Sequence, residues 1–381
     1  MSVGYSAEHE QLRQSVRRFL AEKSPLSEVR RLMEAGASRD DSLWAQLSGQ
    51  LGLPGIAIPE EYGGSGYGPV ELGIVVEEMG RALLVAPFFS TVVLAAQALV
   101  ISGDEAAKRR WLPGIAAGEL TATLAVAEES GSWDPESLTT TAIENGGGWT
   151  VTGTKLFVVD GHTADLLLVV ARTPDGPGVF AVEGDAAGVE RARLDALDLT
   201  RPLASVSLRD AAAVRVGAGR DTVYRDTVYR DTAQWLAEAG DLVRAALAAE
   251  QVGGAGRCLD LAVEYAKVRE QFGRPIGSFQ AIKHKCAGLL VEVESGRSAA
   301  QAASAAVAGG HPDARVTAAV AHAYCSRVFT HAAKECIQIH GGIGYTWEHD
   351  AHLYLRRAKS DELLLGSPAR ERARLAELTG V

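Results

Sequence analysis

The sequence predicts an α+β multidomain protein, and three changes of pattern along the chain carry that prediction. Apolar residues recur at helical spacing up to about Glu119, short β-rich runs follow from about Leu120 to Gly217, and alanine-rich helical segments occupy the chain from Ala233 onward. With 381 residues, the chain is long enough for two or three domains. We therefore predict an N-terminal helical domain (1–119), a central β domain (120–218), a repeat-containing linker (219–232) and a C-terminal helical bundle (233–381).

The N-terminal region is expected to contain amphipathic helices. Leu12, Val16 and Leu20 share one face of a first helix, for which Ser6 is a suitable N-cap. A second apolar-periodic run, around Met79, ends before Pro87.

The central region has the pattern of a small β barrel or sandwich. Short runs of β-forming residues are separated by turn clusters such as NGGG and PDGP. The predicted strands are Thr121 to Val126, Trp149 to Val159, Ala164 to Val170, Gly178 to Val182 and Val206 to Val216.

The linker carries a short repeat. Arg220 to Thr232 contain the unit RDTVY twice and the start of a third copy. A period of five matches neither a helix face nor a strand face, so the sequence favours a lengthened linker over a functional tether.

Composition and charge exclude several classes of protein. The 38 basic and 48 acidic side chains give a net charge of -10 without a basic patch, so nucleic-acid binding is not expected. The N-terminus lacks the pattern of a signal peptide and no apolar run is long enough to span a bilayer, so a cytoplasmic location is expected. The four cysteines form no CxxC pair, and His340, His349 and His352 lack the ligand spacing of a metal site.

A sharp corner between two helices is predicted at Arg269 to Gln280, REQFGRPIGSFQ. It follows Leu242 to Val268, an apolar-periodic run that predicts one long helix. Glycine releases the backbone and proline cannot donate a helical hydrogen bond, so the helix ends here. The corner carries guanidinium groups, which match phosphate oxygens, and an aromatic ring that can cover a ligand. Taken alone, a polar turn between bundle helices explains these residues better than a binding site does.

A second unusual segment, Gln338 to Asp350, reads QIHGGIGYTWEHD and follows an apolar helical run. Its glycines let a ligand approach bare backbone, although such a turn is by itself more often a helix C-cap. Together the two segments resemble the acyl-CoA dehydrogenase flavoprotein family. The resemblance covers nearly the whole chain, since PEEYGGSG (59–66), VTGTKLFVV (151–159) and RRAK (356–359) also match.

The resemblance implies the acyl-CoA dehydrogenase fold, with an N-terminal helical domain, a central β barrel or sandwich and a C-terminal four-helix bundle. It also implies FAD as cofactor, an acyl-CoA or carrier-bound acyl thioester as substrate, and an electron-transfer flavoprotein as acceptor. In that family the two segments meet across a subunit interface and hold the adenosine diphosphate half of a neighbour's FAD, so a dimer or tetramer is implied. The matching positions are Val126, Ala127, Phe157, Arg269, Phe272, Gln280, Gln338, Gly341 and Gly342 for the cofactor, and Arg244 and Trp133 for the substrate.

The flavin-facing stretch departs from the family pattern. The family usually places a hydroxyl residue before Glu-Pro, but here Ala127 offers no side-chain hydrogen bond. Trp133 occupies the place of a small serine, and the usual Trp-x-Thr is replaced by Phe157-Val158-Val159. Phe157 can still stack on a ring, while Val159 has no hydroxyl. We therefore expect weaker flavin binding and a constricted or displaced substrate pocket.

The family's catalytic glutamate is missing from both of its usual positions. Leu365 stands before Gly366, where many members have the base, and Val243 stands at the alternative helical position. Four acids lie nearby in sequence, so the catalytic residue stays unassigned; they are Asp241, Glu250, Asp361 and Glu362.

Three hypotheses about function are left open. The first is FAD-dependent α,β-dehydrogenation of an acyl thioester. The second is a base-less partner subunit of a heteromeric dehydrogenase, which lends its FAD-tail residues to a catalytic neighbour. The third is a flavoenzyme on the same scaffold whose reaction needs no carboxylate base.

Overall fold

The computed structural model describes residues 5–37, 39–217 and 232–381, so the linker repeat at 220–231 lies outside the described residues. The chain divides into two compact units. The first comprises Met1–Ala35, Pro69–Leu84 and Arg244–Val381, and the second comprises Gly36–Gly68 and Val85–Val243. Residues of the predicted N-terminal domain thus occur in both units, and the predicted domain boundaries stay a prediction.

The elements follow the predicted order of helices, strands and helices. The α-helices are α1 (Ala7–Lys23), α2 (Leu26–Glu34), α3 (Asp41–Gly49), α4 (Pro69–Ala82), α5 (Gln97–Ile101), α6 (Glu105–Ala116), α7 (Thr232–Val268), α8 (Gln280–Ala308), α9 (Ala314–His340), α10 (Ala351–Leu363) and α11 (Pro368–Thr379). The strands are β1 (Ala122–Ala125), β2 (Thr141–Asn145), β3 (Gly148–Val159), β4 (Leu166–Thr173), β5 (Gly176–Glu183), β6 (Val189–Arg193), β7 (Leu203–Val216), β8 (Glu270–Gln271) and β9 (Arg274–Pro275).

In the first unit, α1 lies on α4 through buried ion pairs. The predicted N-cap of α1 is confirmed, because the Ser6 hydroxyl accepts a hydrogen bond from the His9 N–H at 3.3 Å. The Arg13 guanidinium donates to both carboxylate oxygens of Glu77, at 3.2 and 3.1 Å. The α1–α4 pair is therefore fixed in register by a two-pronged ionic contact.

Helices α4 and α7 approach each other backbone to backbone. A Cβ on Gly253 would lie 1.8 Å from the Glu77 carbonyl oxygen, and one on Gly80 would lie 2.2 Å from the Glu250 carbonyl oxygen. Only glycine fits at such contacts. Beyond this crossing, small apolar residues of α7, α8 and α9 form a buried cluster; its members include Ala245, Ala248, Val252, Ala303, Ala321 and Cys325.

The second unit contains the central β barrel that the sequence predicts. Strands β1 to β7 form one sheet in the order β1-β4-β2-β3-β7-β5, with β6 on β7, and pairing of β4 with β5 closes it. All five predicted strands are present, and β2 and β6 are additional. The barrel core is apolar and includes Val151, Leu167, Val169, Phe180 and Val206.

The helical part of the second unit contains α3, α5, α6 and the first turns of α7. The apolar run that follows Pro87 forms a π-helix, Phe89–Ala96, which continues into α5. The Trp235 indole N–H donates to the Ala98 carbonyl oxygen at 2.9 Å and ties the start of α7 to α5. Among the described residues, no helix combines the length and apolar character needed to cross a membrane.

Candidate functional site

Strand β3 bulges at the predicted flavin-facing position. Lys155 pairs with Val206 of β7 and Val158 pairs with Ala204, so β3 uses one residue more than its partner. Within the bulge Phe157 has a φ of 58°, a backbone conformation that side chains with a Cβ rarely adopt. Its side chain is 44% exposed, whereas Leu156 before it is half-buried and Val158 after it is buried. The bulge thus turns an aromatic ring outward from the barrel.

A buried ion pair lies at the base of this bulge. The Lys155 ammonium is fully buried and donates to the Glu128 carboxylate at 2.8 Å and to the Val126 carbonyl oxygen at 3.0 Å. Burial lowers the pKa of Lys155 to about 8, although the hydrogen bond to Glu128 opposes that shift. Burial alone would raise the pKa of Glu128, but hydrogen bonds from Lys155 and Thr139 outweigh it and lower the pKa to about 2.

Glu128 also closes the loop that carries Trp133. Its carboxylate accepts hydrogen bonds from the Thr139 N–H at 2.7 Å, the Thr139 hydroxyl at 2.5 Å and the Thr140 N–H at 3.0 Å. A Cβ on Gly131, in the middle of this loop, would lie 3.9 Å from the Phe157 ring. Trp133 is half-buried in the same loop. The structure therefore brings the predicted positions around Phe157 and Trp133 into one connected part of the second unit.

Val126 and Ala127 lie at the base of this loop, and both side chains are buried. The Ala127 carbonyl oxygen accepts a hydrogen bond from the Leu156 N–H at 2.9 Å, next to the Lys155 contact with Val126. Two consecutive residues of β3 are thus tied to the segment 126–128.

The predicted corner in the first unit is a two-residue β-hairpin between α7 and α8. Strands β8 and β9 pair Gln271 with Arg274, and Phe272 and Gly273 form the turn with φ values of 53° and 75°. Positive φ at both central residues is the signature of a type I′ turn. Phe272 stands at its tip and is 91% exposed.

Residues that flank the hairpin and the glycine turn after α9 share one apolar cluster. Ala262 and Ala266 of α7 pack with Ile339 of α9, and Ile276, just after the hairpin, packs against them. The two segments therefore lie close together within one chain, and the subunit interface that the resemblance implies stays a prediction.

The polar and glycine positions of these two segments face solvent. Arg269, Gln280 and Gln338 are exposed. A Cβ on Gly341 or Gly342 would meet no atom within 4 Å, so the backbone there is bare and open.

The two positions that the resemblance matches to the family's base are buried and apolar. Leu365 is 4% exposed and Val243 is 1% exposed. Of the nearby acids, Glu250 accepts a hydrogen bond from Arg357 at 2.7 Å, and Glu362 accepts one from Thr330 at 3.2 Å. Asp241 and Asp361 are buried.

Arg244, a predicted substrate contact, is held by Glu371 of α11. Its guanidinium donates to both carboxylate oxygens, at 2.8 and 3.1 Å, and both side chains are buried. Burial would raise the pKa of Glu371, but hydrogen bonds from His322 and Arg244 lower it to about 2. This geometry matches the salt-bridge alternative for Arg244; its contact with substrate stays a prediction.

Comparison with known proteins gives the family. Profiles described as the N-terminal, middle and C-terminal domains of acyl-CoA dehydrogenase match residues 6–119, 123–208 and 235–379. The acyl-CoA dehydrogenase IpdE2 of Mycolicibacterium smegmatis is 33% identical over 370 residues, which are 97% of this chain and 98% of that protein. The chain belongs to the acyl-CoA dehydrogenase family.

Solved structures agree with this family. A variant of the Tcur3481–Tcur3483 steroid ACAD has a TM-score of 0.87 and 32% identity, covering 98% of each chain. The ChsE4–ChsE5 complex of Mycobacterium tuberculosis has a TM-score of 0.88 and 29% identity, covering 100% of this chain and 99% of that one. The predicted fold, a helical N-terminal domain, a β barrel and a helical C-terminal domain, is confirmed.

Acyl-CoA dehydrogenases bind FAD, and each unit, considered by itself, has an exposed surface whose chemistry suits part of that cofactor. The fit rests on the open backbone at Gly341 and Gly342 beside an exposed Gln338, and on the outward-turned ring of Phe157. No group of three metal-ligating side chains occurs among the residues that the structure describes.

Sequence reasoning gave no role to Lys155 or Glu128, which organise the bulge. A signal was present, because Lys155 has the same strand parity as the buried Val151 and therefore points inward. A lysine at an inward position requires a buried acid as partner.

Proposed function

We propose that this chain functions in the FAD-dependent α,β-dehydrogenation of an acyl-CoA or carrier-bound acyl thioester, with an electron-transfer flavoprotein as acceptor. One observation carries the proposal. Residues next to the hairpin and next to the glycine turn share an apolar cluster, and Arg269, Phe272 and Gln338 are exposed. A planar guanidinium, an uncovered ring and an open glycine backbone together match a diphosphate and its adenosine.

The division of labour follows from the residues. FAD, when bound, supplies the two-electron acceptor for the substrate's α,β carbons. Phe157 provides a flat apolar surface on which a ring can stack, and Arg269 provides charge for phosphate oxygens. The half-buried Trp133 narrows the space for the acyl group, because indole is much larger than the serine side chain of the family pattern. Since the diphosphate belongs to a neighbouring chain in the family, the proposal includes a homo- or hetero-oligomer.

A second role, the base-less partner of a heteromeric dehydrogenase, is favoured by Leu365 and Val243. Both positions are buried and apolar, and neither side chain can accept an α-proton. A ChsE4–ChsE5 complex is among the similar solved structures, which supports assembly with a second, different chain. In this role the exposed hairpin and glycine turn would serve the partner's FAD.

Purification of the chain alone, and then with a second dehydrogenase subunit, separates the two roles. An absorption spectrum reports bound flavin, and anaerobic titration with straight-chain, branched and steroid-derived acyl-CoAs reports its reduction. A yellow homo-oligomer that an acyl-CoA bleaches excludes the partner role. A chain that binds flavin and turns over only with the second subunit excludes the stand-alone enzyme.

A gain-of-function variant tests the missing base directly. If this chain's own pocket lacks only a base, Leu365→Glu introduces acyl-CoA-dependent flavin reduction and Leu365→Gln, similar in size but unable to accept a proton, does not. Equal rates for the two variants would contradict the assignment of this position.

A further inference from the structure

We propose that Lys155 is a positioning residue for the ring wall, which we define as Val126–Glu128 together with the bulge Leu156–Phe157. Its ammonium joins the two parts of this wall, so that Phe157 and the loop bearing Trp133 hold one arrangement before any ligand binds. The inference rests on the proposed function, since it takes the exposed face of Phe157 as the surface for the flavin ring.

The first step of the argument is the conformation of Phe157. A φ of 58° is unfavourable for a residue with a Cβ, and glycine would adopt it without strain. Such a residue persists only when its surroundings hold it there. Neighbouring residues must therefore hold the bulge in place through contacts on at least one side.

The second step identifies those contacts. Leu156 donates its N–H to the Ala127 carbonyl oxygen at 2.9 Å, and Lys155 donates to the Val126 carbonyl oxygen at 3.0 Å and to the Glu128 carboxylate at 2.8 Å. Three hydrogen bonds thus run from two consecutive residues of β3, Lys155 and Leu156, to three consecutive residues of the segment 126–128. An ion pair that served only the core would not need the additional hydrogen bond from the ammonium to the Val126 backbone.

The third step concerns the loop that carries Trp133, on the proposed substrate side. The Glu128 carboxylate, which accepts a hydrogen bond from Lys155, also accepts hydrogen bonds from the N–H groups of Thr139 and Thr140. These two threonines lie at the end of the loop that begins after Ser130. Glu128 therefore connects the start and the end of that loop, and Lys155 connects Glu128 to Phe157. Loss of the ammonium removes the side-chain connection between the bulge and the loop, and leaves the backbone hydrogen bond from Leu156 to Ala127 in place.

The test compares four proteins: wild type, Lys155→Met, Lys155→Arg, and the control Arg13→Met. Arg13 is also buried and paired with a buried glutamate, but it lies in the other unit. Hydrogen–deuterium exchange is measured for peptides covering 126–139 and 155–158 and for α8.

We expect Lys155→Met to speed exchange in the two wall peptides by about 10-fold or more, with α8 unchanged. Lys155→Arg should recover part of the protection, and Arg13→Met should leave the wall peptides as in wild type.

The charge-neutral double variant Lys155→Met with Glu128→Gln keeps the measurement possible if the single variant fails to fold, because no unpaired charge is then buried. Unchanged exchange in the wall peptides, or an increase spread evenly over the chain, overturns the proposal.

Flavin binding is measured separately, by titrating apoprotein with FAD, alone or with its partner subunit, and recording the flavin spectrum. A wild type that binds no FAD overturns the proposed function, while the exchange data still decide whether Lys155 orders the wall. A wild type that binds FAD, with a loosened Lys155→Met wall but unchanged FAD affinity and spectrum, overturns the positioning role.

Discussion

The ring wall and the hairpin each contain an aromatic residue with a positive φ, and they stabilise it in different ways. Each presents an aromatic residue at positive φ, Phe157 at 58° and Phe272 at 53°. In the ring wall a buried ion pair and a backbone hydrogen bond hold the ring from behind. In the hairpin a type I′ turn of two residues holds it, and the ring stands 91% exposed. Buried contacts thus hold Phe157 in the wall, whereas the hairpin leaves most of the Phe272 ring open to solvent, with an edge contact to Phe279.

The largest expected effect is a loss of stability when the acidic residue of the ring wall, Glu128, is replaced. Glu128→Ala removes the acceptor for Lys155, Thr139 and Thr140 and leaves a buried ammonium without its carboxylate. Removal of one partner of a buried ion pair costs about 3–5 kcal/mol. We expect that loss in urea unfolding monitored by tryptophan fluorescence.

A matched control is Glu190→Ala, which removes an exposed ion pair with Arg209 in the same unit. Its expected effect is below about 0.5 kcal/mol. Similar losses in the two variants would show that Glu128 has no special place in the barrel.

At the hairpin we expect a smaller effect, on FAD binding and not on the stability of the fold. Arg269→Ala removes an exposed side chain and should change the free energy of unfolding by less than about 0.5 kcal/mol. It should weaken FAD binding by about 1.5–3 kcal/mol, the range for a hydrogen bond to a charged group, which is roughly 10- to 150-fold in Kd. Fluorescence titration with FAD measures this. Lys267→Ala, an exposed cation at the end of α7, is the control and should leave Kd unchanged.

Regular periodicity made most of the fold predictable, and irregular backbone did not. The long helix α7 and five strands follow from apolar spacing. Strand β6, at the sheet edge, alternates half-buried and exposed residues and contains little apolar sequence, so it gave no signal. The π-helix at Phe89–Ala96 is buried on every side, and its sequence does not distinguish it from an α-helix.

The segments that carry the candidate site could be picked out from the sequence, but their geometry could not. Arg269 and Gln338 were singled out because glycine and proline mark the turns beside them, and their role at a cofactor stays a prediction. A hairpin at Phe272 was not predicted, because Asn rather than Phe is typical of the first position of a type I′ turn. The role of Lys155 depends on Glu128, 27 residues away in sequence, and no local pattern records such a contact.

The effect of acid pH on the free energy of unfolding should differ between variants of the ring wall and variants of the hairpin. The pKa of Glu128 is lowered to about 2 from a usual value of 4.5, so its ion pair stabilises the fold fully above pH 4.5 and progressively less as pH falls towards 2. The stability difference between wild type and Glu128→Gln should therefore shrink by about 1 kcal/mol per pH unit below pH 4. Glu371, whose pKa is also lowered to about 2, is present in both proteins and cancels. Urea unfolding between pH 6 and 3 measures the difference, and a constant difference would contradict it. Arg269→Ala should show no such dependence, because a guanidinium stays charged throughout.

The smallest effect is expected from relieving strain at the hairpin tip. Phe272→Asn converts the turn to Asn-Gly, the sequence that best suits positive φ at both positions, and the lost side chain is almost fully exposed. We expect a gain of about 0.5–1 kcal/mol in the free energy of unfolding, together with weaker FAD binding. Phe157→Asn should give no gain, since its ring lies against the Gly131 loop and its conformation is held by the buried pair. A loss of stability in Phe272→Asn would mean that the hairpin, like the wall, keeps its aromatic ring for the fold and not for what it binds.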